Sequence, residues 1–277
     1  VEAAAEGIAA TQPPPEPEPG PELPPEHSVA ETAPEHHMIE EVDVSGRWNQ
    51  PMLRALVGLR LRTRSAAIAP NAATNRFDAD MFPDIQIMAE LRPLSRAPGA
   101  ERGLYLALSG GFSAGMSYFR IDGAQRDMMT YNFEIDAGYG LVLAEMFELV
   151  LSAGFGIDGF DLSDGNPEDF PSAAYTFIRP AVQGRLRIVP DHLLVAEAGF
   201  GGRIVLDSGG IQRFGVDGTS NGGIDFYVGL AGIIEPGISW AARFAYQSYF
   251  LGFAGNSGAT SGSDESIQIW LMVGWSF

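Results

Sequence analysis

The chain has 277 residues, 45% of them apolar, a net charge of −18, no Cys, and 17 basic residues that are all Arg. Without Cys there is no disulfide, thiol nucleophile or Cys-ligated metal, and the composition suits an oxidising compartment. The acid excess and the lack of a basic stripe argue against nucleic acid as a partner, and no run of about 18 apolar residues exists to cross a bilayer as a helix.

Residues 1–50 carry ten Glu and one Asp against Arg47 alone, so this segment supplies −10 of the −18. Val1 opens into Glu-Ala-Ala-Ala-Glu with neither a basic start nor an apolar h-region; for an exported protein this would be the processed form, and a cytosolic protein that never had a signal would look the same here. The stretch Gln12-Pro13-Pro14-Pro15-Glu16-Pro17-Glu18-Pro19-Gly20-Pro21 cannot pack a core. Proline favours an extended polyproline II helix at about 3.1 Å per residue, and repelling glutamates stretch it further, so a semi-rigid spacer is expected. Its Pro/Glu composition resembles linkers that reach across the periplasm. His36 and His37, beside Glu35, read as part of a solvated linker rather than a metal site, and Met38, Ile39, Val42 and Val44 could dock on a partner.

From about residue 52 the pattern changes to period-2 alternation, the signature of strands. Ten segments follow, at about 52–64, 82–92, 103–118, 131–141, 147–159, 174–188, 193–205, 223–234, 237–250 and 267–277. In 131–141 one face is Tyr131, Phe133, Ile135, Ala137, Tyr139 and Leu141, and the other is Asn132, Glu134, Asp136, Gly138 and Gly140. In 174–188 Ile178, Pro180, Val182, Leu186 and Ile188 alternate with Arg179, Gln183, Arg185 and Arg187. Arginine at every second position does not fit the core of a soluble sandwich; it fits a barrel with lipid outside and a polar lumen.

Long connections near 65–81, 119–130, 160–173, 206–222 and 251–265 alternate with shorter ones near 93–102, 142–146, 189–192 and 235–236. Long extracellular loops and short periplasmic turns would place both termini in the periplasm. Strands of this length cover about 30 Å of hydrocarbon when tilted about 45°. On these features residues 51–277 resemble the bacterial outer-membrane β-barrel superfamily: an all-β, closed antiparallel up-and-down transmembrane barrel of about ten strands. The terminal Trp275-Ser276-Phe277 is similar to the C-terminal signal that the barrel-assembly machinery reads, although Met272 stands where such signals usually carry glycine. Tyr118, Phe119, Tyr131, Tyr175, Tyr249 and Phe250 are expected in an outer aromatic girdle, and Phe147, Trp240, Trp275 and Phe277 in a periplasmic one.

The alternation points Arg60, Arg62, Glu90, Arg92, Glu134, Asp136, Glu148, Arg179, Arg185, Arg187, Glu197, Arg203, Asp225 and Arg243 into the lumen, eight Arg against six acids. A ten-stranded lumen is only slightly wider than one that side chains fill, so a salt-bridged, largely closed interior is expected; a narrow, weakly anion-preferring pore is the alternative. The lumen glycines Gly111, Gly138, Gly140, Gly154, Gly156, Gly199, Gly201 and Gly229 would leave room for water or a small ligand, or relieve curvature. Omptin-like proteases, lipid A deacylases and palmitoyl transferases depend on a barrel His, whereas His27, His36 and His37 lie in the tail and His192 in a turn, so enzyme activity, metal and cofactor are not expected. Asp161-Leu162-Ser163-Asp164-Gly165-Asn166 lacks the spacing and closing Glu of a calcium loop, and Asp78, Asp80, Glu168 and Asp169 read as solvated loop carboxylates. The reading that follows is a non-enzymatic barrel that holds the tail at the outer membrane, with lipid and an envelope protein as partners; a small-solute channel and a secreted soluble β-protein with a Pro-rich stalk are the alternatives.

Overall fold

The computed structural model describes residues 51–69, 76–95, 103–119, 125–162, 171–189, 194–214, 221–234, 237–254 and 259–277; the tail of residues 1–50 lies outside them. Ten strands run in chain order: β1 (Leu53–Ala69), β2 (Arg76–Leu91), β3 (Leu104–Phe119), β4 (Gln125–Ala144), β5 (Phe147–Leu162), β6 (Ala173–Val189), β7 (Leu194–Asp207), β8 (Gly222–Ile234), β9 (Ile238–Gly252) and β10 (Ser261–Ser276). Each pairs antiparallel with its sequence neighbour, and β1 pairs with β10 to close the barrel. Closure removes both sheet edges, so no strand is left with a free row of backbone donors and acceptors. The start of β1 and the end of β10 meet through Arg54↔Ser276, which defines a terminus end; the opposite end is called here the far end.

Two inward glycines on that closing seam bring the strands together. A Cβ on Gly274 would collide with the Ala55 carbonyl, and one on Gly58 with the Leu271 carbonyl. At the terminus end Gly237, with φ of 107°, turns the chain between β8 and β9 and accepts a hydrogen bond from Ser276 N at 2.8 Å. Only glycine adopts that backbone without strain.

Outward residues form a belt of exposed apolar side chains: Val57, Leu59, Ile85, Ile87, Ile135, Val228, Phe244, Leu271 and Val273 are all 37% exposed or more. Burial alternates with the other face along most of β10 and the middle of β6. A soluble protein rarely exposes a continuous apolar ring of this extent, whereas hydrocarbon is its favourable solvent. Tyr131 and Phe250 face outward near the far end, and Phe147, Trp240, Trp275 and Phe277 outward near the terminus end. Tyr175 and Tyr249 do not join the expected girdle. Their parity is that of Arg179 and Arg243, so they point inward, fully buried, and stack on each other with ring centroids 3.9 Å apart. The side chains of Tyr118 and Phe119 lie outside the described residues.

Several strands are longer than the alternation predicts, mostly toward the far end. β1 continues to Ala69, β2 begins at Arg76, β4 at Gln125 and β10 at Ser261. In these extensions the pattern inverts. Most outward positions become polar or small (Thr63, Ser65, Ala67, Asp78, Asp127, Glu265), with Met81 and Met129 as exceptions, while many inward ones become apolar (Ala66, Ile68, Phe77, Met128, Phe160, Leu162). The far tier is therefore built like a soluble barrel, polar outside and apolar inside, stacked on a membrane barrel of the opposite polarity. A search for lipid-facing strands reads such a stretch as loop.

The far-tier core contains Ile68, Phe77, Phe82, Phe160, Tyr175, Phe177, Ile211, Tyr249 and Leu251. Ile211 belongs to a 3-10 helix, Gly209–Phe214, that folds out of the β7–β8 connection and seals the interior with this side chain at 0% exposure. Gly209, with φ of +60°, starts that helix and donates its N–H to Asp207 Oδ1 at 2.6 Å. A smaller cluster of Leu56, Met88, Ala231, Ala241 and Met272 lies near the terminus end.

Candidate functional site: the charged lumen

All fourteen charged positions assigned to the lumen face inward or sit at its rim. The structure adds Arg54, Arg64, Asp84, Asp158 and Asp264 to them, so ten Arg stand against nine acids among the described residues. Arg54, Asp84 and Asp158 lie on the same parity as Arg60, Glu90 and Glu148, so alternation alone was signal enough to find them. Arg64, at the end of the predicted segment 52–64, shares that parity too, whereas Asp264 required the inverted extension of β10. The near-balance of charge removes the reason to expect an anion preference from an Arg excess.

The middle of the lumen is cross-braced. Arg60 on β1 forks onto Asp84 on β2 at 2.5 to 2.9 Å and donates to Asn132 on β4 at 2.7 Å. Arg62 reaches across the barrel from β1 to Asp158 on β5, at 3.0 and 3.1 Å. Asp158 also accepts from Gln247 on β9 at 2.5 Å. Arg179 on β6 holds Asp225 at 2.6 Å and Glu134 at 3.0 Å, with Asp136 at 3.6 Å. Arg203 on β7 holds the other side of Asp225 at 2.9 Å. Apart from Arg60–Asp84 and Arg203–Asp225, these contacts join strands that share no backbone ladder, so the network ties opposite walls together. Planar guanidinium forks are suited to that job because two parallel N–H donors match one carboxylate.

A second layer lies toward the terminus end. Arg92 pairs with Glu148 at 2.6 Å, Arg185 with Glu90 at 2.7 Å and Arg243 with Glu197 at 2.8 Å. Arg54 lies 3.9 Å from Glu90 and donates to the Trp240 carbonyl at 2.8 Å. Arg187 stands apart at the rim, where its guanidinium donates to the Glu145 carbonyl at 2.7 Å.

Toward the far end the charges give way to rings. Arg64 pairs with Asp264 at 2.7 Å and lies 4.0 Å over the Phe160 ring. Arg203 lies 4.2 Å over Phe177, and Tyr175 donates its hydroxyl to Asp264 at 2.9 Å. On the outer face of the far tier Asp78 is partly buried, which raises its pKa, but hydrogen bonds from Arg76 and Ser65 outweigh this and hold it below the usual value.

Most of the lumen glycines serve as space for these long side chains. A Cβ on Gly201 would meet Arg179 Nε at 2.7 Å, one on Gly229 Arg243 Cγ at 2.8 Å, and one on Gly156 Phe177 Cζ at 2.6 Å. Gly140, Gly154 and Gly199 are likewise occupied by Glu148, Asp136 and Tyr227, and Gly111 by Gln86. What remains is a cavity of about 130 Å³ at mid-lumen, lined by Arg60, Asn132, Glu134, Arg179, Tyr227 and Trp270 among others. All four His lie outside the described residues, as do Asp164, Glu168 and Asp169. Asp161, next to last in β5, accepts from Ser172 Oγ at 2.7 Å. Among the described residues no group of three or more His, Cys, Asp or Glu is arranged to hold a metal ion.

No family model matches this chain, and no curated protein is significantly similar to it. Solved structures with a similar fold include the outer membrane protease OmpT of Escherichia coli, at 10% identity and a TM-score of 0.44, covering 81% of this chain and 96% of OmpT. Neisserial surface protein A matches at 10% identity and a TM-score of 0.35, covering 81% and 99%. The Pseudomonas putida toluene transporter TodX matches at 9% identity and 0.32, covering 81% and 71%. One barrel shape thus spans neighbours described as a protease, a surface protein and a transporter, and likeness at this level carries no activity with it.

Proposed function

We propose that this chain is a non-enzymatic β-barrel of the bacterial outer membrane, with both termini in the periplasm, that anchors its Pro/Glu-rich segment of residues 1–50 where an envelope partner can engage it. The observation that carries this reading is that long side chains crowd the lumen at three levels, around a mid-lumen cavity of about 130 Å³. The apolar far-tier core, the cross-braced middle layer and the Arg/Glu layer at the terminus end occupy the path that a solute would take. A closed, braced barrel is suited to holding an attached segment at a membrane, and the lumen carboxylates are bound up in partnerships with Arg. The acidic, proline-stiffened composition of residues 1–50 suits a reach through solvent to a partner rather than a packed domain.

A narrow channel is the second reading, favoured by the mid-lumen cavity. The two separate in planar bilayers: the anchor reading expects the full chain and the chain lacking residues 1–50 to give no unit conductance steps, and only the full chain to retain an envelope protein on co-purification. Discrete steps from the truncated barrel would establish the channel, and equal retention by both forms would remove the role given to the tail.

A further inference from the structure

Among the described residues, the layer at the terminus end holds more Arg than acids. Arg54, Arg92, Arg185 and Arg243 face Glu90, Glu148 and Glu197, four cations against three anions, in a region where every one of the three carboxylates is 5% exposed or less. Beside them lies a cavity of about 40 Å³, lined by Arg54, Glu90, Arg92, Arg185, Glu197 and Ala231 among others. Two donors of this lining have no hydrogen-bond partner: Arg54 Nε and Arg92 Nε, on residues that are 8% and 4% exposed. Of the two glutamates of the lining, Glu90 is engaged by Arg185 at 2.7 Å and Glu197 by Arg243 at 2.8 Å through Oε2, while Glu197 Oε1 has no hydrogen-bond partner.

Buried cations in excess of their counter-ions are costly, and an orphan N–H beside a void calls for an acceptor, a water or an ion, within it. We propose that this cavity is a binding site for the head of a small oxyanion, a carboxylate, held between the guanidinium groups of Arg54 and Arg92. An oxyanion fits better than a spherical ion because a guanidinium presents its N–H groups as a planar fork that matches two oxygens. The volume agrees: at about 10–15 Å³ for each water-sized occupant, the cavity takes about three non-hydrogen atoms, the size of a carboxylate group. Ala231, 4% exposed, forms its apolar floor. This site is independent of the anchor function and survives if that reading fails.

Acetate is the probe, titrated calorimetrically into the full chain in maltoside micelles free of other carboxylate or phosphate, with chloride and phosphate titrated in parallel. The expected result is saturable binding of one acetate per chain, weakened at least tenfold in Arg54→Gln and in Ala231→Leu, which fills the cavity without changing any charge. Heat-modifiable gel mobility checks that each variant is folded; if Arg54→Gln does not fold, Ala231→Leu decides. No saturable binding of acetate would leave water alone in the cavity and overturn the proposal. Binding of chloride but not acetate, or acetate binding unchanged in Ala231→Leu, would overturn it as well.

Discussion

Asp158 is the point where the lumen network is most concentrated, and its replacement by Asn tests whether the network braces the fold. The carboxylate accepts two hydrogen bonds from Arg62 and one from Gln247, and Arg64 stands 4.0 Å away. Side-chain exposure is 3% at Asp158 and 1% at both arginines, so solvent screens little of this. Asn keeps the shape and removes the charge, which leaves the Arg62 guanidinium with neutral acceptors only, the amide oxygen and Ser266 Oγ at 3.0 Å. Breaking a buried pair by removing one member costs about 3–5 kcal/mol, and Arg64, still paired to Asp264, adds little. The expected loss for Asp158→Asn is therefore about 3 to 5 kcal/mol, most of it from stranding Arg62. Urea unfolding and refolding in phospholipid vesicles, followed by tryptophan fluorescence, measures it. The companion variant Asp158→Leu with Arg62→Met removes both charges and is expected to recover most of the loss. A cost under about 1 kcal/mol for Asp158→Asn would refute the reasoning, because it would mean that water reaches this layer and screens it as it does a surface pair.

Three further outcomes follow from the same geometry. Arg placed on the belt at Val228 should cost about 2–4 kcal/mol in vesicle refolding, whereas Ser263→Arg, on the outer face of the far tier, should change stability by less than about 0.5 kcal/mol; equal costs would deny the change of polarity between the tiers. Gly274→Val sets a side chain against the Ala55 backbone carbonyl on the closing seam, so the unboiled protein should lose its fast-migrating gel form. Ile211→Asp buries a charge in the far-tier core, which should expel the 3-10 helix, and brief proteolysis should then cut between residues 206 and 222 in the variant but not in the wild type.

Several features of this protein follow from sequence alone. Period-2 alternation with Arg on one face and Leu, Ile or Val on the other is incompatible with a soluble core, so ten strands, the closed barrel and the inward direction of every assigned charge could be read residue by residue. Arg54, Asp84 and Asp158 were equally legible, since parity is a local property of a strand. The tertiary structure decided what parity does not contain. Which Arg meets which carboxylate depends on the register of strands four apart around the ring, as in Arg62–Asp158 and Arg185–Glu90. The length of the strands was hidden because beyond Thr63 and Glu265 the outside is no longer lipid, and the hydrophobic face crosses to the inside. Tyr175 and Tyr249 were misplaced for the same reason: a girdle is inferred from nearness to a strand end, and here the strand continues and its inward face has become a core. Alternation reports which residues share a face; only the folded barrel, with its surroundings, determines which solvent each face meets.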